Sequence, residues 1–316
     1  MSKYLTTNKY ALGFGAVAVD DLVFLDRFPH PEEKIPVLSR QRQGGGLIGT
    51  ALVAASRMGV SASYCGVFGD DEISTFSKEA FSEENVDYSL LQYAPEASPF
   101  HSLVLVDQTQ QQRTILYDQH GVMEPKLTAE VASAIQKAGA VMLDHTVLGI
   151  APKIIVIAKE KGVPVLADIE RYTDPRLKTV LPQLDHLIIS ERTASQLSGE
   201  TDPQKMLLQL SKHEPASCVV TIGDKGCWWK VQGREMKHMP AFNVPVVDTT
   251  GCGDVFHGVY LAGLCLGFDV EKCLQYASGA AAMKANVPGG RAGSPTRTQL
   301  EDFLIAHASE IGYAFP

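Results

Sequence analysis

Val247-Asp248-Thr249-Thr250-Gly251-Cys252-Gly253-Asp254-Val255-Phe256 is a turn of small residues that runs straight into an apolar-periodic segment. Val255, Val259, Ala262 and Leu266 recur at helical spacing, so a helix is predicted to start near Cys252 or Gly253. Gly251 and Gly253 let the backbone turn tightly and approach a ligand. The first N–H groups of such a helix lack intrahelical partners and carry its positive dipole end, which makes the junction an anion cradle. Asp254 stands beside that anion. A fixed negative charge there points to a general base that activates a hydroxyl for attack on a phosphoryl group. The alternative is an Asp that only caps a buried helix.

The stretch 248–256 resembles the second signature of the ribokinase, or pfkB, family of carbohydrate kinases, D-T-x-G-A-G-D-x-F, with Cys252 where the family has Ala. Gly45-Gly46, the segment 47–59 and Gly66-Val67-Phe68-Gly69-Asp70-Asp71 match the family's first region. Val220-Thr221-Ile222-Gly223-Asp224-Lys225-Gly226 matches its nucleotide-binding strand and turn. The resemblance runs over nearly the whole chain. It implies an α/β fold, a central mostly parallel sheet flanked by helices, with a small β lid. It also implies ATP-dependent phosphorylation of a sugar hydroxyl, with Mg²⁺ on the phosphates. Residues 288–293 and 247–258 look closest to the sulfofructose and fructose-like kinases of the family, so a ketohexose is the first expected substrate and a pentose or nucleoside the second. A non-catalytic sugar or nucleotide sensor on the same fold is the alternative of another class; an intact Asp254 argues against it.

Composition agrees. The chain has 316 residues, 45% hydrophobic and 20% charged, the balance of a soluble globular protein. A net charge of −8 and the lack of any Lys/Arg block argue against a nucleic-acid partner. Residues 1–10 are polar and lack a signal-peptide core, and no apolar run reaches the roughly 18 residues of a membrane span. A cytoplasmic protein is expected. Six cysteines (65, 218, 227, 252, 265 and 273) form no C-x-x-C pair and read as reduced thiols.

Strand and helix patterns alternate, which predicts a parallel sheet covered on both faces. Strands are expected over 10–19, 62–68, 140–143, 163–167, 187–189 and 218–222. Helices are expected over 47–58, 73–81, 131–137, 154–161, 206–210, 255–266, 270–285 and 299–306. The whole of 1–316 is read as a single kinase domain, and two segments break its alternation. Residues 21–43 carry Pro29, Pro31 and Pro36; residues 101–118 read as two strands joined by a Gln-rich turn. Both fall where the family places its lid, and lids in such kinases often pair between subunits, so a homodimer is expected.

Gly13-Phe14-Gly15-Ala16-Val17-Ala18 fits a dinucleotide fingerprint after a strand. The fingerprint needs a helix directly after the glycines, and the β-branched, proline-bounded 17–28 stretch does not supply one. By resemblance Asp20 accepts hydrogen bonds from substrate hydroxyls, and the backbone of Gly45 and Gly46 lies against the sugar. Thr50 stands where the family has an Asn that reaches sugar hydroxyls, and Thr has a shorter reach. Lys34 and Arg113, one in each lid segment, are candidates for a polar or anionic substituent. Ser190-Glu191-Arg192-Thr193 occupies the place of an N-x-x-E motif that organises magnesium through water. Both motif residues are changed, which leaves Glu191 as partial substitute. Asp168, Glu170 and Arg171 follow a strand end, where Arg171 could contact phosphate or join a surface ion-pair cluster. Thr221, Gly223, Gly226, Ser190, Glu191, Thr249, Asn286 and Gly290 are the expected nucleotide contacts. Some relatives hold a monovalent cation, K⁺, between the 283–293 loop and Asp248/Thr250. Cys252, at a helix N-terminus, is expected to have a thiol of lowered pKa, with a buried inert cysteine as the alternative.

Overall fold

A computed structural model describes residues 9–110, 112–119, 121 and 124–308. The first eight residues of the polar N-terminal stretch and Gln111 of the Gln-rich turn lie outside them. The first apolar run does not make one strand. It divides into β1 (Ala11–Phe14) and β2 (Ala18–Leu25), which belong to different sheets. The break is at Gly15, whose φ is +144° and where a Cβ would overlap the Asp144 carboxylate. The chain continues through β3 (Ser39–Gly45), α1 (Leu47–Arg57), β4 (Ala62–Tyr64), β5 (Val67–Phe68) and α2 (Glu72–Glu83). Next come β6 (Val86–Asp87), β7 (Gln92–Tyr93), β8 (Phe100–Asp107), β9 (Gln112–Asp118) and α3 (Ala129–Lys137). The middle alternates β10 (Ala140–Asp144), α4 (Ala151–Lys159), β11 (Val165–Asp168), α5 (Leu177–Val180) and β12 (His186–Ser190). It is followed by α6 (Glu191–Ser198), α7 (Pro203–Leu210), β13 (Ser217–Thr221), β14 (Cys227–Val231) and β15 (Lys237–Met239). Three helices close the chain: α8 (Cys252–Cys265), α9 (Val270–Ala285) and α10 (Arg297–Ala306).

The large sheet has the order β15-β14-β13-β12-β11-β10-β1-β4-β6. It is parallel from β6 to β13, and β14 and β15 add an antiparallel edge. The expected 187–189 strand therefore continues into a helix that the sequence reading missed, and Cys227-Trp228-Trp229 is sheet edge. One apolar layer, with Ile48, Leu52, Val259 and Tyr260, packs α1, α8 and α9 on one face. The other, with Phe14, Ile135, Ile154 and Leu207, packs α3, α4 and α7 on the opposite face. Burial on both faces is what a parallel sheet requires.

The second sheet has the order β3-β2-β8-β9. The segments 21–43 and 101–118 supply most of it. β2 pairs antiparallel with β3 and parallel with β8, and β8 pairs antiparallel with β9. It leaves the large sheet at Gly15 and returns to it at Gly46, the N-cap of α1 with φ +83°. A Cβ on Gly46 would come within 2.6 Å of the Ala16 carbonyl oxygen, so the two sheets meet through bare backbone there. None of the described helices is long and apolar enough to cross a membrane.

Candidate active site

The parallel strands end on one side of the sheet, and ligands of open α/β sheets bind there. Asp144 ends β10, Asp168 ends β11, Ser190 ends β12 and Thr221 ends β13. The N-terminus of α8 points into the same place. Gly251 caps it in the left-handed conformation, φ +74°, with its Cα side against the backbone of Gly290. The helix is apolar almost all round, and Val255 through Gly263 are buried. At Gly258 an added Cβ would strike the Ala51 carbonyl of α1. This close crossing fixes α8, and with it Asp254, relative to β1 and β2.

Asp254 is half-buried at the first turn. Burial, then the Asp168 and Glu170 carboxylates, push its carboxyl well above the usual range, and His257 opposes the shift. Asp168 is raised likewise, by burial and by Glu170 and Asp144. Burial lifts Asp144 to about 6, even though it accepts from the Ala16 N–H at 2.6 Å and the Thr146 N–H at 2.8 Å. His257, one helical turn below Asp254, is buried. Its Nδ1 lies 2.8 Å from the Gly253 carbonyl oxygen and 3.3 Å from Asp168 Oδ2, and its Nε2 lies 3.0 Å from the Ile188 carbonyl oxygen. Both ring nitrogens thus face backbone carbonyls, and Nδ1 also faces the Asp168 carboxylate.

Asp20 is half-buried on β2, and burial raises its carboxyl against a hydrogen bond from Ser102 and the charge of Arg291. The three glycines that end β3 each make room for a different neighbour. A Cβ would overlap Arg291 at Gly44, the Asp20 carboxylate at Gly45 and the Ala16–Ala18 backbone at Gly46. Arg291 is buried, its Nη2 donates to the Gly45 carbonyl oxygen at 2.8 Å, and its guanidinium lies 5.8 Å over the Phe81 ring. Burial lowers it to about 10, against the pull of Asp20, Glu84 and Asp254. Arg291 thus stands at the Asp20 side of the site, although its loop was expected to hold the nucleotide contacts Asn286 and Gly290. Thr50 is buried within α1. Lys34 is exposed in the connection between β2 and β3 and has no hydrogen bond or ion pair among the described residues.

On the other side of α8 lies a cleft of about 550 Å³ lined by Thr221, Gly223, Gly226, Phe242, Thr249 and Cys252, with Gly253 at its edge. It gathers four of the expected nucleotide contacts, Thr221, Gly223, Gly226 and Thr249. Asn286 and Gly290 do not line it: Asn286 ends α9 with Nδ2 3.3 Å from the Ala282 carbonyl oxygen, and Gly290 packs on Gly251. Ser190 and Glu191 are exposed at the start of α6. Ser190 caps that helix, and its hydroxyl lies 3.3 Å from that of buried Thr193. A hydroxyl pair thus takes the place of the family's Asn and Glu. A wider depression of about 990 Å³ at the opposite ends of the strands, beside Tyr10, Asp87 and Arg297, holds none of these residues.

Arg113 pairs within the chain. From β9 it reaches across to Asp248 Oδ1 at 3.1 Å and to the Thr250 hydroxyl, and so joins the second sheet to the entrance of α8. Arg171 makes a second such tie: its Nη2 donates to the Tyr117 hydroxyl at 2.6 Å. Two residues proposed as cation ligands, Asp248 and Thr250, are therefore held by an arginine. Between Asp248 and the loop after α9 stands the ammonium of Lys284, donating to the carbonyl oxygens of Asp248 and Val287 at 2.9 Å each. Sequence reasoning missed this lysine. Its signal was a charge at 284 on the face that Ala277 and Ala280 share in an alanine-rich helix.

The chain is a carbohydrate kinase by fold and by sequence. It matches the model described as "pfkB family carbohydrate kinase" over residues 12–297, and it belongs to that family. It is 23% identical to the ribokinase of Bacillus subtilis over 291 residues, covering 92% of this chain and 97% of that protein. A candidate ribokinase from Agrobacterium tumefaciens superposes with a TM-score of 0.88 at 29% identity, over 97% of this chain and 99% of that one. The ribokinase of Arabidopsis thaliana complexed with ribose and ATP superposes with a TM-score of 0.84 at 22% identity, covering 94% of this chain and 98% of that one. Enzymes of this family phosphorylate sugars with ATP and Mg²⁺.

Cys252 departs from the expectation of a reactive thiol. Burial, with Asp248 and Asp254 nearby, raises it against the opposing charges of Lys284 and Arg113. Iodoacetamide mapping at pH 7 should therefore label Cys252 slowly, with labelling that accelerates only on the alkaline side of a free thiol's pKa of about 8.5. Fast labelling at neutral pH would show that the dipole wins.

Proposed function

We propose that this protein transfers the γ-phosphoryl group of ATP to a hydroxyl of a ketohexose-sized sugar, with Asp254 as general base. The observation that carries the reading is the position of Asp254 between the two halves of the site. Asp20, Gly45 and Arg291 lie on one side of α8, and the cleft of Thr221, Gly223 and Thr249 lies on the other. A sugar held by Asp20 and the Gly45–Gly46 backbone would present its hydroxyl to Asp254, and a nucleotide in the cleft would present its phosphate to the start of α8. Asp254 takes the hydroxyl proton as the oxygen attacks phosphorus, and a carboxylate of raised proton affinity is suited to that task. The N–H groups of Gly251 and Gly253 have no backbone acceptor among the described residues, so they are open to the transferring phosphoryl oxygens. The Cys252 N–H donates to the Thr249 carbonyl oxygen at 3.2 Å and would have to share or leave it.

The carboxylate-rich donor set fits a divalent cation. Asp168, Glu170 and Asp254 repel one another, and a cation beside them would relieve this. Mg²⁺ bound there would neutralise charge on the phosphates, held mainly by phosphate and water with Glu170 and Glu191 reached through water. Among the described residues, no group of three or more His, Cys, Asp or Glu is placed to hold a metal ion by itself. A pentose is the second reading, supported by the names of the relatives. The second sheet would act as the lid over the sugar and exclude water, which otherwise competes as acceptor.

The test is ATP consumption over ketohexoses, pentoses, sulfosugars and nucleosides, with Asp254→Asn as control. We expect turnover on a ketohexose, and a kcat lowered roughly 10²–10⁴-fold in a folded Asp254→Asn variant. Near-wild-type kcat in that variant would remove Asp254 from the mechanism; turnover on ribose alone would select the pentose reading. On the face of the lid turned away from the site, Leu103 and its cross-strand partner Leu116 are exposed. We propose that a second copy covers this face, as a homodimer. Sedimentation should then give a dimer that Leu116→Asp converts to monomer, and a wild-type monomer at micromolar concentration would exclude it.

A further inference from the structure

Lys284 lies in the last turn of α9 and is wholly buried. A buried ammonium is costly unless hydrogen-bonded. Its two acceptors are the backbone carbonyls of Asp248 and Val287, at 2.9 Å each. These belong to two loops that nothing else in the chain order brings together. The first leads into Gly251–Asp254; the second leads to Gly290, which packs on Gly251. The loops are also tied where the Val247 and Asp248 N–H groups donate to the Ala285 carbonyl oxygen, at 2.8 and 3.1 Å, and where the Gly289 N–H donates to Asp248 Oδ2 at 2.8 Å. A positive centre between backbone carbonyls of two loops is the arrangement that holds a monovalent cation. Here a side chain supplies the charge, on a helix C-terminus whose dipole favours it.

The K⁺ expected from the family resemblance therefore does not fit, because its place between the loops is taken. We propose that the Lys284 ammonium is a built-in substitute for a monovalent cation, a positioning residue that fixes the Asp248 loop and hence the start of α8, so that this enzyme needs no K⁺. The inference rests on the reading that the start of α8 receives the transferring phosphate. Burial lowers the Lys284 pKa, Cys252 and Asp248 favour its charged form, and Arg113 opposes it. Arg113 holds the side chain of Asp248, whereas Lys284 holds its carbonyl, so the two cations do different work on one residue.

The test compares wild type and Lys284→Met in potassium chloride and in choline chloride at equal ionic strength. Melting temperature is read first, since it needs no substrate and stays informative if the kinase reading is wrong. Wild type should melt at the same temperature in both salts. Lys284→Met should melt lower in choline and recover roughly 2–4 °C in K⁺, because a ligand that binds only the folded state stabilises it. With the accepted sugar and ATP, wild-type kcat should be unchanged between the salts. The variant should lose roughly 10–100-fold in choline and regain activity with K⁺ or methylammonium. A wild-type enzyme activated or stabilised by K⁺ would overturn the proposal, and this holds even if the variant does not fold. A folded variant indifferent to all three cations would overturn it too.

Discussion

The constraint on which the site depends is the crowding of buried carboxylates where the parallel strands end. Asp144, Asp168 and Asp254 all lie there, and burial with mutual repulsion raises all three. Such a cluster is tolerable only with compensating charge. Arg291 supplies it from the Asp20 side, and His257 lies beneath with its ring nitrogens against the carbonyls of Gly253 and Ile188. Both are held by backbone carbonyls. The backbone that forms α8 and the Gly45 turn thereby also places both side chains. A carboxylate kept at high proton affinity in this way is one whose proton exchange can be switched by what binds beside it.

The second sheet is joined to this centre by charged contacts. Arg113 reaches Asp248 and Thr250, and Arg171 reaches Tyr117. Exposed contacts of this kind contribute little to stability, and the apolar interior of the large sheet lies elsewhere. Asp248 is the shared node. Its carboxylate meets Arg113, the Thr250 N–H and the Gly289 N–H, and its carbonyl meets Lys284.

Much of the large sheet was legible because its strands are continuous apolar runs and its helices carry 3.6-residue periodicity. The entrance of α8 was legible from Gly251 to Val255 alone. What failed to show were features that depend on contacts distant in sequence. Gly15 breaks an unbroken apolar run because Asp144, far along the chain, occupies the space of its Cβ. Helix α6 was missed because its residues are mostly polar and its burial is slight. The pairing of Arg113 with Asp248 did not show because nothing local names Asp248 as its partner. Cys252 looked reactive from its helix position, and only its buried surroundings reverse that. Arg291 and Lys284 stood in a loop that the family likeness assigned to nucleotide and K⁺. Their burial against Gly44–Gly45 and between two carbonyls is visible only in three dimensions.

In the proposed mechanism Asp254, whose pKa is raised, must lose its proton to act as base. The measurement that tests this most directly is the pH dependence of kcat/KM on the accepted sugar. A base must be deprotonated in the free enzyme, so the rate should fall as pH falls. The midpoint should lie well above the value of about 3.9 for an ordinary Asp, and Asp254→Asn should lack that acid limb. A rate that stays level down to the ordinary Asp range, or the same limb retained in Asp254→Asn, would contradict it.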